Sequence, residues 1–220
     1  YIFDTCWIVF PIFGFKMRKF VLFMMLLVAA SLQAQQVRDM RGVFFSAPQS
    51  LFPLLTANCR ADMIDYIDAG MVAKVTNKLD GVSVLEKIDD DYLLMASTAS
   101  STIQMKLLPC GGGDVVCVVN TVKAEAADSR ISFYDTEWNL LDRSAYFDFP
   151  SIGDFLLSRD KQLLDMCDIS LISLTLNSDD CTLTAEYTMP EYMNTADAEK
   201  VRASLRKVVY NWNGNRFVKD

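Results

Sequence analysis

The sequence contains no histidine among its 220 residues. Histidine is the usual general base near neutral pH and a common ligand of transition metals, so its absence excludes Ser-His-Asp and Cys-His catalysis. A hydrolase without histidine would need paired carboxylates or a serine–lysine pair. The composition therefore favours a non-enzymatic protein that binds or interacts, and we expect no cofactor and no catalytic metal.

Two serine–lysine patterns of the S-x-x-K type are present, at Ser158–Lys161 and Ser204–Lys207. In penicillin-recognising serine enzymes this pattern is accompanied by S-D-N and K-T-G motifs, and this sequence has neither. Two matches in one short chain show how readily the pattern arises by chance. We interpret both as solvated helix faces, and a hydrolase using a Ser-Lys pair or paired carboxylates stays open as the alternative function.

Metal and phosphate motifs are incomplete. Asp135, Glu137 and Asn139 have the spacing of the first calcium ligands of an EF-hand loop, but Leu140 stands where that loop needs glycine. A hairpin turn explains the same residues. The glycines at 111–113 precede a strand rather than a helix, so they do not form a phosphate loop.

Trp138 lies within the same predicted turn. An exposed tryptophan at a hairpin tip could anchor a protein partner or stack on a sugar. The competing interpretation is that its ring folds back onto the sheet. We predict Trp138 as a possible interaction residue and leave both interpretations open.

The segment Met17–Ala34 is typical of a secretory signal peptide. It has basic residues at Arg18 and Lys19, then an apolar run, and it ends in small residues of the kind found before a signal-peptidase site. We therefore predict cleavage after Ala34. We interpret residues 1–16 as translated upstream sequence, with Met17 as the start. The apolar run is shorter than the roughly 20 residues of a membrane span, and we expect no stable membrane insertion after cleavage.

Removal of residues 1–34 takes away three cations and one acid, which changes the net charge from −7 to −9. Such an acidic surface repels phosphate backbones, so we expect no nucleic-acid partner. Five of the six cysteines lie after the leader, and an odd number leaves at least one thiol free or paired between chains. Cys110 and Cys117 flank the glycine turn and are the candidate disulfide. The alternative is that the cysteines are small buried apolar residues.

The periodicity predicts an α+β fold in which helices pack on an antiparallel meander. Residues 101–122 predict a central hairpin, because apolar and polar side chains alternate before the glycines and a valine run follows them. Helices are predicted within 46–70, 152–167 and 195–207, with strands over 72–147 and hairpins over 171–188 and 208–218. We expect one domain over residues 35–220, with possible pseudo-repeat halves at about 46–148 and 150–220.

Four segments, SSTIQMKLLP, VVCVVNTVKA, ADSRISFYDTEWNLL and YNWNGNRFV, carry a family resemblance. The chain resembles uncharacterised secreted proteins of Bacteroides-type gut bacteria, a domain of unknown function, over most of its mature length. The resemblance implies secretion and an α+β fold and carries over no catalytic residue. The predicted order of helices followed by sheet is also similar to the β-lactamase-inhibitor-protein architecture. From the predicted export and from Trp138, which could anchor a protein or stack on a sugar, we expect an envelope protein or a glycan as the partner.

The leader predicts an exported protein, periplasmic or extracellular, whose N-terminus is near Gln35. Mass spectrometry of the protein isolated from its native cells measures this directly. A native protein that retains Tyr1 or Met17 would contradict the prediction.

Overall fold

The computed structural model describes residues 39–158 and 160–220, so the predicted upstream segment and signal peptide lie outside the described residues. A large antiparallel sheet follows the chain in order. Its strands are β1 (Ala73–Thr76), β2 (Val82–Ile88), β3 (Tyr92–Thr98), β4 (Ser101–Leu108), β5 (Val115–Lys123), β6 (Ala127–Asp135) and β7 (Leu140–Leu141). The predicted central hairpin is β4–β5, in continuous register from the pair Ser101–Val122 to the pair Leu108–Val115.

A second, four-stranded antiparallel sheet contains the C-terminal part of the chain. Its strands are β8 (Ile172–Leu176), β9 (Thr182–Tyr187), β10 (Val208–Trp212) and β11 (Phe217–Lys219), in the spatial order β11-β10-β9-β8. The α+β fold class is therefore confirmed, with two open sheets. Each sheet belongs to one of the predicted pseudo-repeat halves. A repeat relation between the two halves stays a prediction.

Short helices connect and cover the sheets. They are α1 (Met40–Ser46), α2 (Ala57–Asp68), α3 (Arg143–Tyr146), α4 (Ile152–Phe155), α5 (Lys161–Met166), a 3-10 helix (Met189–Tyr192) and α6 (Thr195–Arg202). No helix within residues 39–158 and 160–220 is long and apolar enough to cross a membrane.

The first of the helices predicted within 46–70 was wrong in position. α1 ends at Ser46, where we expected a helix to begin. It starts at Met40 because the Asp39 carboxylate caps that end and accepts a hydrogen bond from Gly42 N–H. Residues 48–55 form turns instead of a helix. A helix there would lose the backbone hydrogen bond of Pro53, and the proline ring would clash with the preceding turn.

The predicted strand over 140–147 was also wrong. β7 has two residues, and the Asp142 carboxylate then caps α3 by accepting from Ser144 N–H. The side-chain cap from Asp142 starts α3 where apolar periodicity alone predicted a strand. The last helix, α6, is capped by Asn194 at its start. It ends at Arg202, short of the predicted Lys207.

The large sheet is buried on both faces at its centre. One face packs against the small sheet and contains Val115 and Val119. The other, which we call the helix-side face, packs against α1 and α2 and contains Val116 and Val118. The valine run of β5 therefore lies between two apolar cores, as its composition predicted.

The free edge of β8 rests on the large sheet through side chains. The backbone N–H groups of Ile172, Leu174 and Leu176 donate to side-chain oxygens 2.8 to 3.2 Å away. The acceptors, in the same order, are Asp128, Ser129 and Gln104, from β6 and β4. Because these groups satisfy an edge that would otherwise be buried without partners, they fix the small sheet across β4 to β6.

Lys106 strengthens this attachment. Its side chain is almost fully buried, and Nζ donates to the Ser178 carbonyl at 2.9 Å and pairs with the Asp91 carboxylate at 2.9 Å. A buried ammonium needs such partners, because an unpaired charge in the interior is very costly. Lys106 therefore joins β4 to the turn after β8.

Candidate ligand-binding cleft

A cleft of about 310 Å³ lies at one end of the helix-side face of the large sheet. Its floor is formed by β2 to β5, and its wall is the 50–55 loop, Ser50–Leu55. The volume is at the lower end of the roughly 300 to 1,000 Å³ typical of small-molecule sites. This is the candidate functional site.

The strand register explains the floor of the cleft. Met95, Ile103 and Asn120 are neighbours across β3, β4 and β5. One row further toward the end of the sheet, Ser97 and Ser101 take the corresponding positions on the same face, because side chains two residues apart share a face. The face that is apolar under α1 and α2 therefore becomes rich in hydroxyl and amide groups at the cleft.

Ser97 is the distinctive residue of this floor. The register of β3 and β4 shifts between Ala96 and Thr98, so Ser97 occupies an irregular position in the strand. Its carbonyl accepts from Ser83 Oγ at 2.7 Å, while its own Oγ is buried with no hydrogen-bond partner in the described part of the chain. Buried hydroxyls are nearly always hydrogen-bonded, so this unpaired one is unusual. Because Ser97 as a whole is half-buried, a rotation of its side chain would turn the hydroxyl toward a ligand in the cleft.

Asn120 adds a second available polar group. Its side chain is half-buried at the cleft, and it forms no hydrogen bond with any described residue. The amide offers two donors and one acceptor, whereas the Ser97 hydroxyl both donates and accepts. Together they can bind a neutral polar group in either hydrogen-bonding direction.

The wall of the cleft is held in place by two sets of contacts, one from Gln49 and one from Arg60. Gln49 Nε2 donates to the carbonyls of Phe52 and Leu55, at 2.7 and 2.6 Å, which closes the turn of the 50–55 loop. The Arg60 guanidinium lies 5.6 Å from the Phe52 ring centre and donates to the carbonyls at Phe45 and Ala47. The loop is therefore braced before any ligand binds.

No charged residue of the described chain lines this cleft. Charged residues make up 22% of the sequence, so their exclusion from the whole lining is a distinguishing feature. The apolar part of the lining is mostly aliphatic, with Met95, Ile103 and Leu54 among its members. The arrangement can bind a ligand, but it brings together no nucleophile and base.

Trp138 does not lie in this cleft. Its indole packs 5.6 Å from the Tyr134 ring and its Nε1 donates to Ser46 Oγ at 3.2 Å, so the half-buried side chain folds back toward the end of α1. The backbone at Trp138 has φ of +68°, which turns the chain in that direction. A role for Trp138 in partner binding stays a prediction.

The two cysteines of the candidate disulfide are free thiols in this structure, as are the other three described cysteines. Cys117 lies opposite Lys106 in the β4–β5 register, two residues inside the last pair, Leu108–Val115. Cys110 lies beyond that pair, in the turn. The structure therefore does not place them as cross-strand partners, and their pairing stays a prediction.

The second serine–lysine pattern and the calcium pattern have structural roles. Lys207 pairs with Glu186 at 2.7 Å, while Ser204 Oγ donates to the Lys200 carbonyl. The Asp135 carboxylate accepts hydrogen bonds from the backbone N–H groups of Glu137 and Asn139, as in an ordinary hairpin turn. No group of three or more potential metal ligands occurs within the described residues.

Two carboxylates, Asp148 and Asp154, line a separate groove beside β10 and β11. Each is paired with a cation, Asp148 with Arg216 and Asp154 with Lys219. The hydrogen bond from Lys219, helped by those from Ser151, lowers the pKa of Asp154 to about 2. A carboxyl group that stays ionised at neutral pH cannot act there as a general acid.

Sequence reasoning did not find the cleft, although a signal was present. On the helix-side face the apolar positions of three consecutive strands give way to Ser97, Ser101 and Asn120 at the same end. That change is visible only once the register between the strands is known. The approach of the 50–55 loop depends on contacts distant in sequence, which no local pattern reports.

Comparison with known proteins identifies a family and a similar fold. A family model described as Protein of unknown function (DUF3256) matches residues 29–217. A solved structure of a domain of an uncharacterised protein from Porphyromonas gingivalis W83 has 25% sequence identity and a TM-score of 0.72, covering 82% of this chain and 97% of that one. None of the curated proteins matches the chain. The resemblance to a domain of unknown function is confirmed, and secretion stays a prediction.

The contacts of Trp138 predict an unusual order of stability among its variants. Trp138→Ala should lower the free energy of unfolding by about 2 kcal/mol, because half of a buried tryptophan's packing is lost. Trp138→Gly should be more stable than the alanine variant by about 1 kcal/mol, since glycine adopts positive φ without a steric cost. Chemical denaturation measures both values.

Two outcomes would contradict this account of Trp138. An alanine variant within about 0.5 kcal/mol of the wild type would show that the ring is not packed. A glycine variant less stable than the alanine variant would show that the turn does not hold a positive φ.

Proposed function

The chain belongs to the family described as Protein of unknown function (DUF3256), and from that premise we propose that it is an exported binding module of the cell envelope. It binds its ligand in the cleft between the 50–55 loop and the large sheet, and it does not convert that ligand chemically. The partner is an envelope component that presents a neutral, partly apolar group.

The observation that carries this proposal is the buried, unpaired hydroxyl of Ser97 in the floor of the cleft. Leaving a polar group buried without a partner costs about 1 to 3 kcal/mol, and a ligand that hydrogen-bonds to it recovers that free energy. Such a group in a braced, mostly apolar cleft is what a preformed binding site needs.

A binding role is also favoured by the chemistry of the lining. The cleft contains serines but no lysine, histidine or carboxylate beside them that could act as a general base. Within the described residues, no observation favours the hydrolase alternative. Asp154 and Lys207 are engaged in ion pairs with Lys219 and Glu186.

The proposed location rests on the sequence of the leader and on the charge that remains after its removal. A net charge of −9 without residues 1–34 disfavours nucleic acid as a partner. An envelope protein or a glycolipid headgroup presents neutral groups compatible with the cleft. The half-buried Trp138 would then be a second contact only if the partner extends beyond the cleft.

A variant that obstructs the cleft tests the proposal. Val122 lines the cleft with 60% of its surface exposed, so Val122→Trp should cover the opening with little cost to folding. We expect it to recover at least tenfold less envelope material than the wild type in an affinity capture, as identified by mass spectrometry. Its thermal midpoint should stay within about 3 °C, because surface substitutions rarely exceed about 0.5 kcal/mol.

The matched control is Val218→Trp on β11, which is 46% exposed and lies outside the cleft. It should capture the same material as the wild type. Equal capture by the wild type and Val122→Trp would contradict a binding role for the cleft, whatever the behaviour of the control.

A further inference from the structure

Resting on the proposed function, we propose that the cleft binds an uncharged amphiphile, a single aliphatic chain that carries a neutral hydroxyl or carbonyl headgroup. The chain lies against the accessible apolar side chains of Pro53 and Leu54 in the loop and of Val122 on the sheet. The buried Met95 and Ile103 close the floor beneath it. The headgroup reaches the polar side chains of Ser97 and Asn120 at the end of the sheet. Each half of the ligand therefore matches one part of the lining.

The apolar half of the site accepts an aliphatic chain better than a ring. The lining residues include a single aromatic, Phe52, which is 2% exposed. Its ring packs edge-on to Phe44 at 5.1 Å. Because no aromatic face is available for stacking, a sugar ring or an aromatic ligand finds no platform there.

The polar half selects a neutral headgroup. The half-buried Asn120 amide lines the cleft, and Ser97 Oγ comes to the cleft by rotation of its side chain. Both groups are uncharged donors and acceptors. A carboxylate or ammonium entering this cleft would lose hydration without meeting an opposite charge, which is strongly unfavourable. The acidic character of the whole chain disfavours anions further.

The dimensions of the cleft limit the ligand to one chain. About 310 Å³ is small for a binding site, and the 50–55 loop is held by Gln49 and Arg60 rather than free to open. A lipid with two acyl chains would need a larger or mobile cavity. A single chain of about eight carbons, or one chain of a larger molecule, is the expected occupant.

The inference is tested with three probes, namely octyl glucoside below its critical micelle concentration, octanoate and methyl glucoside. Octyl glucoside should shift the backbone amide NMR signals of Ser97, Ile103 and Asn120. Octanoate, which is charged, and methyl glucoside, which lacks the chain, should each bind at least tenfold more weakly. Hexyl glucoside should bind roughly tenfold more weakly than octyl glucoside, as expected for two fewer buried methylenes.

Ser97→Ala separates binding from folding. The variant should bind octyl glucoside five- to tenfold more weakly, while its thermal midpoint stays equal to or above that of the wild type, because an unpaired buried hydroxyl is removed. The control is Ser132→Ala on β6, a half-buried serine outside the cleft, which should bind like the wild type.

Each outcome decides a separate point. Octanoate binding as tightly as octyl glucoside would overturn the selection for a neutral headgroup, and equal binding of methyl glucoside would overturn the aliphatic chain. If no probe shifts the cleft signals while Val122→Trp still loses envelope capture, the ligand class is wrong and the proposed function stands. If no probe binds and capture is unaffected, both proposals fail.

Discussion

The structure depends on how the exposed edge of β8 is satisfied. A sheet edge carries unpaired N–H groups, and burying them without acceptors would cost about 1 to 3 kcal/mol each. Here Asp128, Ser129 and Gln104 project from the large sheet and accept those hydrogen bonds. The small sheet is therefore positioned by direction-dependent contacts, and the apolar core between the two sheets fills around them.

This docking determines where binding surfaces can exist. The small sheet occupies one face of β4 to β6, while α1 and α2 cover the other face and leave its end to the 50–55 loop. Because neither cover extends over Ser97 and Asn120, the strands end in a polar row beside an apolar floor. The cleft therefore forms because the small sheet and the helices α1 and α2 pack on opposite faces of the large sheet and leave one end of the helix-side face uncovered. The cleft is neutral because the residues at that end of the sheet are uncharged.

Local patterns predicted the meander, the β4–β5 hairpin and the two C-terminal hairpins, because strand alternation and turn residues are encoded within a few positions. They failed at α3, where the Asp142 cap overrides an apolar stretch that resembles a strand. They also failed at the site, since the cleft needs Arg60 to hold Phe52 across the loop. Trp138 was correctly placed in a turn, but its direction depended on a positive φ and on Ser46, 92 residues away.

Native-state hydrogen exchange at β8 tests the central claim that side chains hold this edge. The amides of Ile172, Leu174 and Leu176 should be as protected as those paired between β8 and β9, although no strand pairs with this edge of β8 in the described chain. In Gln104→Ala, Leu176 should exchange at least tenfold faster, while Leu174, bonded to Ser129, stays protected. Rapid exchange of all three amides in the wild type would contradict the account.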